Sequence, residues 1–408
     1  MADTRADTIE TGRELPVSFF GVLMLLAAFG PLATDTYLSA FPEMAHDLGT
    51  SRTEVASSLT VFVAGLAGGQ LLYGPLSDRF GRKRPLLAGI AIYTLASAGC
   101  LLPLDLTGFL AMRLGQALGG CSGIILGRAM IRDRLDAHDV ARSFSTLSMI
   151  NVAMPLIAPA IGAVILWFAD WQAIFVMLVG LGLAAFLAVA VGIEETLPAS
   201  RRTVTLHPGA TLANYIRLLS NARFVWAALA TAAASGTFFA FLTGSPVAFM
   251  VHFGFGRVEF TALFTAALLA MAAGGQINRR WLAHRTPAAI AGGVLPALCL
   301  TAALLVPGIQ TGPALACGLI VLVMAQLGFI LPNCAASAMN ACSAGTGSAA
   351  ALLGAIQFAG GLVGSAASAT VWLGDAFTMA LVVAILPLGT AFAWWRYTRS
   401  QSRIGSAR

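Results

Sequence analysis

The stretch Gly74-Pro75-Leu76-Ser77-Asp78-Arg79-Phe80-Gly81-Arg82-Lys83-Arg84 decides how this chain is read. It gathers five formal charges between two long apolar runs, in a sequence where only 10% of residues are charged. Hydrocarbon does not accept so polar a segment, so it reads as a tight aqueous turn joining two membrane helices. Its excess of Arg and Lys assigns that turn to the cytoplasmic side.

Outward from this turn, the apolar runs recur along the chain. The hydrophobic fraction is 58% and the mean hydropathy +0.83, well above a soluble domain. Runs of about 20 residues, the length a helix needs to cross a bilayer, fall at 17–39, 53–76, 84–103, 107–131, 140–168, 171–192, 222–250, 257–281, 287–307, 312–338, 346–372 and 376–396. They do not alternate as barrel strands do, so the sequence predicts an all-α membrane protein of twelve transmembrane helices. The hydrophilic first sixteen residues make a poor signal sequence, and the first run is expected to stay as a helix.

The net charge of +6 does not point to nucleic acid, because the basic residues are scattered over short loops. With the N-terminus inside, 21 of the 24 fall on the cytoplasmic side, leaving Arg52 and Arg257 outside and Arg113 within a span. Both termini are therefore expected in the cytoplasm. The six cysteines lie mostly in apolar runs without C-x-x-C spacing, and the five histidines form no pairs. No metal site, cofactor or enzymatic cluster is expected.

A polar segment from Glu194 to Asn221 divides the chain. The tetrad Ala67-Gly68-Gly69-Gln70 recurs as Ala273-Gly274-Gly275-Gln276, 206 residues later and close to half the length. Together these predict two parallel six-helix bundles, residues 1–192 and 222–408, joined by a cytoplasmic linker at 193–221, with a site between them.

The 74–84 turn resembles the loop between helices two and three of the major facilitator superfamily, G-x-L-x-D-R-x-G-R-[KR]. Other stretches are similar to its Bcr/CflA drug-resistance branch: Pro31 to Leu38, Arg113 to Gly119, Arg128 to Asp133, Ala158 to Gly162, Glu195 to Pro198, Leu331 to Asn333 and Gly347 to Gln357. Ala158 and Ala163 depart from the glycines common in the fifth-helix motif, and Ser39 from a frequent proline in the first. The resemblance implies the major facilitator fold in a bacterial inner membrane. It further implies a monomeric proton-coupled antiporter of small amphipathic drugs such as chloramphenicol, florfenicol or bicyclomycin. Export of a metabolite such as cysteine or a siderophore-like compound is the alternative.

Asp35 is the carboxylate placed well inside a span, and Arg113 the intramembrane base. Burying either alone costs several kcal/mol, so both are functional candidates. At ~1.5 Å per residue the two lie within a few ångströms of the same depth, and a direct or water-bridged pair is expected. Burial disfavours the carboxylate ion and a neighbouring guanidinium favours it, so Asp35 is read as the proton carrier and Arg113 as the group that tunes it. By resemblance, Gly74, Asp78, Arg79, Gly81, Arg82 and Lys83 form a gating loop, with Asp78 facing the start of the eleventh helix near Gly345 to Ser348. Its basic residues also suit anionic lipid headgroups. Pro155, Pro159 and Gly162 bend the fifth helix and let it pack closely. Tyr37, Gln116, Asn151, Met154, Phe238, Phe239, Asn333 and Gln357 are expected to line a substrate cavity with apolar walls and few polar handles.

Overall fold

Helices supply every regular element among the residues described by the computed structural model, 17–134, 153–155, 157–198, 202, 208–342, 346–369 and 375–405. In chain order they are α1 (Val17–Asp35), α2 (Phe41–Asp47), α3 (Arg52–Phe80), α4 (Lys83–Gly99), α5 (Leu106–Arg134), α6 (153–155 and 157–168), α7 (Gln172–Gly192), α8 (Pro208–Leu219) and α9 (Ala222–Ser245). Then follow α10 (Arg257–Trp281), α11 (Pro287–Thr311), α12 (Pro313–Asn340), α13 (Thr346–Ala369) and α14 (Asp375–Gly405). Among the described residues, ten helical stretches are long and apolar enough to cross a membrane, α6 is a shorter apolar helix, and α4 is a 17-residue helix that opens on Lys83 and Arg84.

Local chemistry sets the ends. Ser51 caps α3 and Glu54 returns the bond to the Ser51 N–H, a reciprocal box that fixes the entry of the helix. The Asn221 side chain accepts from the N–H groups of Arg223 and Phe224 to start α9, and Thr286 with Pro287 starts α11. Two elements differ from the sequence expectation. The first span ends as a helix at Asp35, and the chain goes on through a 3-10 turn at Leu38–Ala40 into α2. Pro42 sits in the first turn of α2, where its missing N–H costs nothing. The polar linker contains α8, whose Pro208 start follows the same rule.

Helices in lipid associate by close packing rather than by expelling water, so small residues mark the seams. A Cβ on Gly65 would lie 2.6 Å from that of Ala117, and one on Gly69 2.7 Å from that of Cys121, which draws α3 against α5. On the other half of the chain, Cβ atoms on Gly274 and Gly328 would strike the carbonyls of Ala325 and Met271, so α10 lies equally close to α12. The two copies of the repeated tetrad thus serve matching seams. Gly360 and Gly364 of α13 face the backbone of Ala232 and Gly236 of α9 in the same manner. Side chains such as Phe168 and Val191, 85% and 87% exposed, project outward from the bundle, as lipid-facing residues do.

Candidate functional site

Asp35 is the last residue of α1 and is buried, at 5% exposure. The Thr34 hydroxyl lies 2.7 Å from Asp35 Oδ1 and 3.0 Å from the Gly30 carbonyl, and donates its one proton to either. Arg113, on α5, is fully buried. Its Nη2 donates to the Ala33 carbonyl at 2.9 Å and its Nη1 to Gln116 Oε1. Gln116 in turn donates to Ser97 Oγ at 2.7 Å. The guanidinium lies 4.5 Å from the Tyr37 ring, 4.6 Å from Phe62 and 5.8 Å from Phe175, so aromatic faces supply attraction on several sides. Arg113 Nε has no hydrogen-bond partner.

The expected direct pair is therefore absent. Arg113 binds the backbone two residues before Asp35, and its remaining bond goes to Gln116, not to the carboxylate. The reason is geometric: Gln116 stands one helical turn from Arg113 on the same face of α5, within reach of the guanidinium. Tyr37 and Gln116, expected along the cavity, are buried, at 1% and 0% exposure, against Arg113. Tyr37 closes its own polar end on Ser58, with the two oxygens 2.8 Å apart. Asn333 is also buried, donating to Asn278 Oδ1 at 2.7 Å and to the Phe329 carbonyl, so it locks α12 to α10.

At the far end of α3 the charged loop forms a network. Arg82 donates from Nη1 to Asp78 at 2.7 Å and to Ser77 at 2.6 Å, and from Nε to Asp133 at 2.9 Å. Asp78 therefore turns toward Arg82 in its own loop. Residues 343–345, at the expected contact with the eleventh helix, lie outside the described residues. Gly81 has φ +84°, and a Cβ there would strike Glu195. Glycine is what lets the loop turn over that carboxylate. Glu195 accepts from the N–H groups of Arg82 at 2.8 Å and Lys83 at 3.3 Å, capping α4, and Arg202 lies 3.7 Å away. Desolvation pushes the Glu195 carboxyl up, but the N–H groups of Leu197, Arg82 and Lys83 and the charge of Arg202 together hold it below its ordinary range. Lys83 Nζ donates to the Ala190 carbonyl at 2.8 Å. Gly74 has nothing near its missing Cβ, and Arg79 lies 5.0 Å from the Phe80 ring.

In α6, Pro159 is buried and Pro155 half-buried. Gly162 abuts α1, because a Cβ there would strike the Thr36 carbonyl. Phe238 and Phe239 sit edge to face at 5.3 Å, and Phe239 contacts Phe358 at 6.1 Å. Met154 and Gln357 are half-buried, and Asn151 lies outside the described residues. Sequence reasoning missed Phe62, Phe175 and Ser97 around Arg113, and Asp133 and Glu195 around Arg82. The available signals were the three-residue spacing of Arg113 and Gln116 and the family-like stretches Arg128 to Asp133 and Glu195 to Pro198, which contain both acids.

Three comparisons bear on this arrangement. Residues 23–368 match the sequence family described as Major Facilitator Superfamily. The chain is 32% identical over 404 residues to the MFS-type transporter YdgK of Bacillus subtilis, covering 97% of this chain and 98% of that one. It is 29% identical over 402 residues to the bicyclomycin resistance protein homolog of Haemophilus influenzae, covering 93% and 96%. Its fold is similar to that of the D-xylose-proton symporter, with a TM-score of 0.71 at 14% identity over 91% of this chain and 96% of the other. With helices, seams and charged loop in place, the chain belongs to the major facilitator superfamily, whose members are membrane transporters and not enzymes.

Proposed function

We propose that this chain is a proton-driven exporter of small amphipathic compounds across a bacterial cytoplasmic membrane, acting as a monomer. Its two six-helix halves, 1–192 and 222–408, rock about a central cavity while the linker at 193–221 keeps them joined. The observation that carries this reading is the state of Asp35. It is buried and its hydrogen-bond partner is a neutral hydroxyl, with no cation paired to it. An unpaired carboxylate at membrane depth is costly, whereas a neutral acid is not.

Thr34 suits both forms of that acid. When Asp35 is ionised, the hydroxyl donates to it. When Asp35 is protonated, the acid donates to Thr34 Oγ1 and the hydroxyl turns to the Gly30 carbonyl, 3.0 Å away. Arg113 holds the Ala33 carbonyl, and so fixes the end of α1 that carries the acid. In the cycle, Asp35 takes a proton from outside, the halves rock, and the proton leaves inside as substrate binds. Arg82 ties the gating loop to the end of α5 through Asp133, and Glu195 ties it to the start of the linker. Arg79 faces lipid headgroups.

Bicyclomycin and chloramphenicol are the substrates to try first, on the strength of two relatives' names, with florfenicol beside them as a small amphipathic drug of the same expectation. The test uses everted membrane vesicles with an inside-acid gradient followed by a fluorescent pH probe. Each compound is added in turn, with a lipophilic cation and cysteine alongside. Proton release on adding a neutral drug supports the reading. No release with any of them, from vesicles shown to hold the protein, removes it.

A further inference from the structure

At the end of the molecule opposite the basic loop, side chains tie the two halves of the chain together. Arg257, the first residue of α10, donates from Nη2 to Glu43 Oε2 at 2.9 Å and from Nη1 to the Leu166 carbonyl at 2.8 Å. Glu43 lies in α2 and Leu166 in α6, so one guanidinium fork in the second half grips two elements of the first. The side chains are 39% and 24% exposed, sheltered enough to hold more of their attraction than a fully solvated pair. Deeper in the same end, Thr60 of α3 lies 2.7 Å from Ser365 of α13, which lies 2.7 Å from Thr243 of α9. This hydroxyl chain crosses the same seam.

Membrane topology gives no reason for Arg257. The sequence predicts 21 of the 24 basic residues on the cytoplasmic side, and a positive charge at this end runs against that bias. At the basic end, the described pairs of Arg82 with Asp78 and Asp133, Arg134 with Glu194, and Arg202 with Glu195 stay within the first half and the linker that follows it. They shape a loop without tying the halves.

We propose that Arg257, Glu43 and the Leu166 carbonyl form the outer latch of the transporter. The latch holds the outer mouth shut in the conformation seen here, and it must part before the cavity opens outward. The assignment of this end as outer rests on the export reading, but the mechanics of the latch do not.

The test measures spin–spin distances between nitroxides at His46→Cys and His252→Cys, both exposed at this end. The full-length chain, with its six native cysteines replaced, is placed in lipid nanodiscs. The parent is expected to show mainly short distances. Arg257→Gln and Glu43→Gln are each expected to raise the long-distance fraction about 3- to 5-fold. The double variant should go no further than Arg257→Gln alone, and Arg257→Lys should fall between that variant and the parent. Single variants that match the parent would overturn the latch, as would a double variant whose effect is the product of the two. A parent already mostly open would do the same. No substrate or gradient enters the measurement, so its failure leaves the export reading standing, and failure of proton-coupled export leaves the distances unchanged.

Discussion

At Asp35 and Arg113 one short segment of α1 is held by two opposed devices. Thr34 serves the acid in either protonation state, and Arg113 pins the backbone beside it. A hydrogen bond to a charged group is worth about 1.5–3 kcal/mol, so Thr34→Val is expected to slow coupled transport about tenfold or more. Thr34→Ser should restore it, as initial rates in vesicles would show. Arg113→Lys keeps the charge but loses the fork and the flat stacking surface against Tyr37 and Phe62. It is expected to lower stability by about 2 kcal/mol, seen as a drop in the melting temperature of the purified protein. The sequence singled out both residues, since ionisable groups are scarce at membrane depth. Their partners were not legible. A polar side chain on a membrane helix has the same signature whether it faces a cavity or a neighbouring helix, so the hydrogen bonds of Tyr37, Gln116 and Asn333 to neighbouring helices leave no mark in the sequence.

At the level of elements, the start of α4 is clamped by Glu195 across the turn at Gly81. Its folded-state carboxyl is held below the ordinary range. The stabilisation is therefore fully present above the unfolded value, about 4.3, and is lost as pH falls through the folded one. Glu195→Gln lacks it at every pH. The gap in melting temperature between wild type and this variant is expected to be widest near neutral pH and to close on acidification below about 4. Gly162→Val tests the seam of α6 with α1: forcing a side chain against the Thr36 carbonyl should cost about 1–3 kcal/mol, measurable by thermal unfolding. The long helices were legible from apolar length alone. The short α2 was not, because a helix of 7 residues beside a long apolar run leaves little periodic signal, and the 12 residues of α8 are amphipathic but sit inside the polar linker.

Across the whole molecule, the matched seams at Gly69 and Gly274 place the repeated tetrads at corresponding helix pairs, α3 on α5 and α10 on α12. That internal symmetry suits the rocking of two halves proposed above. Its chemistry is asymmetric, because Asp35, Arg113 and the charged loop all lie in the first half. In the proposed cycle the proton travels on Asp35 while substrate moves between the halves. The most direct measurement compares wild type with Asp35→Asn in proteoliposomes, using a labelled drug found to evoke proton release. Two assays are run side by side, uphill accumulation driven by a pH gradient and exchange of drug for drug with no gradient. Asp35→Asn is expected to lose gradient-driven accumulation while still exchanging drug. Accumulation in Asp35→Asn equal to that of wild type would contradict it.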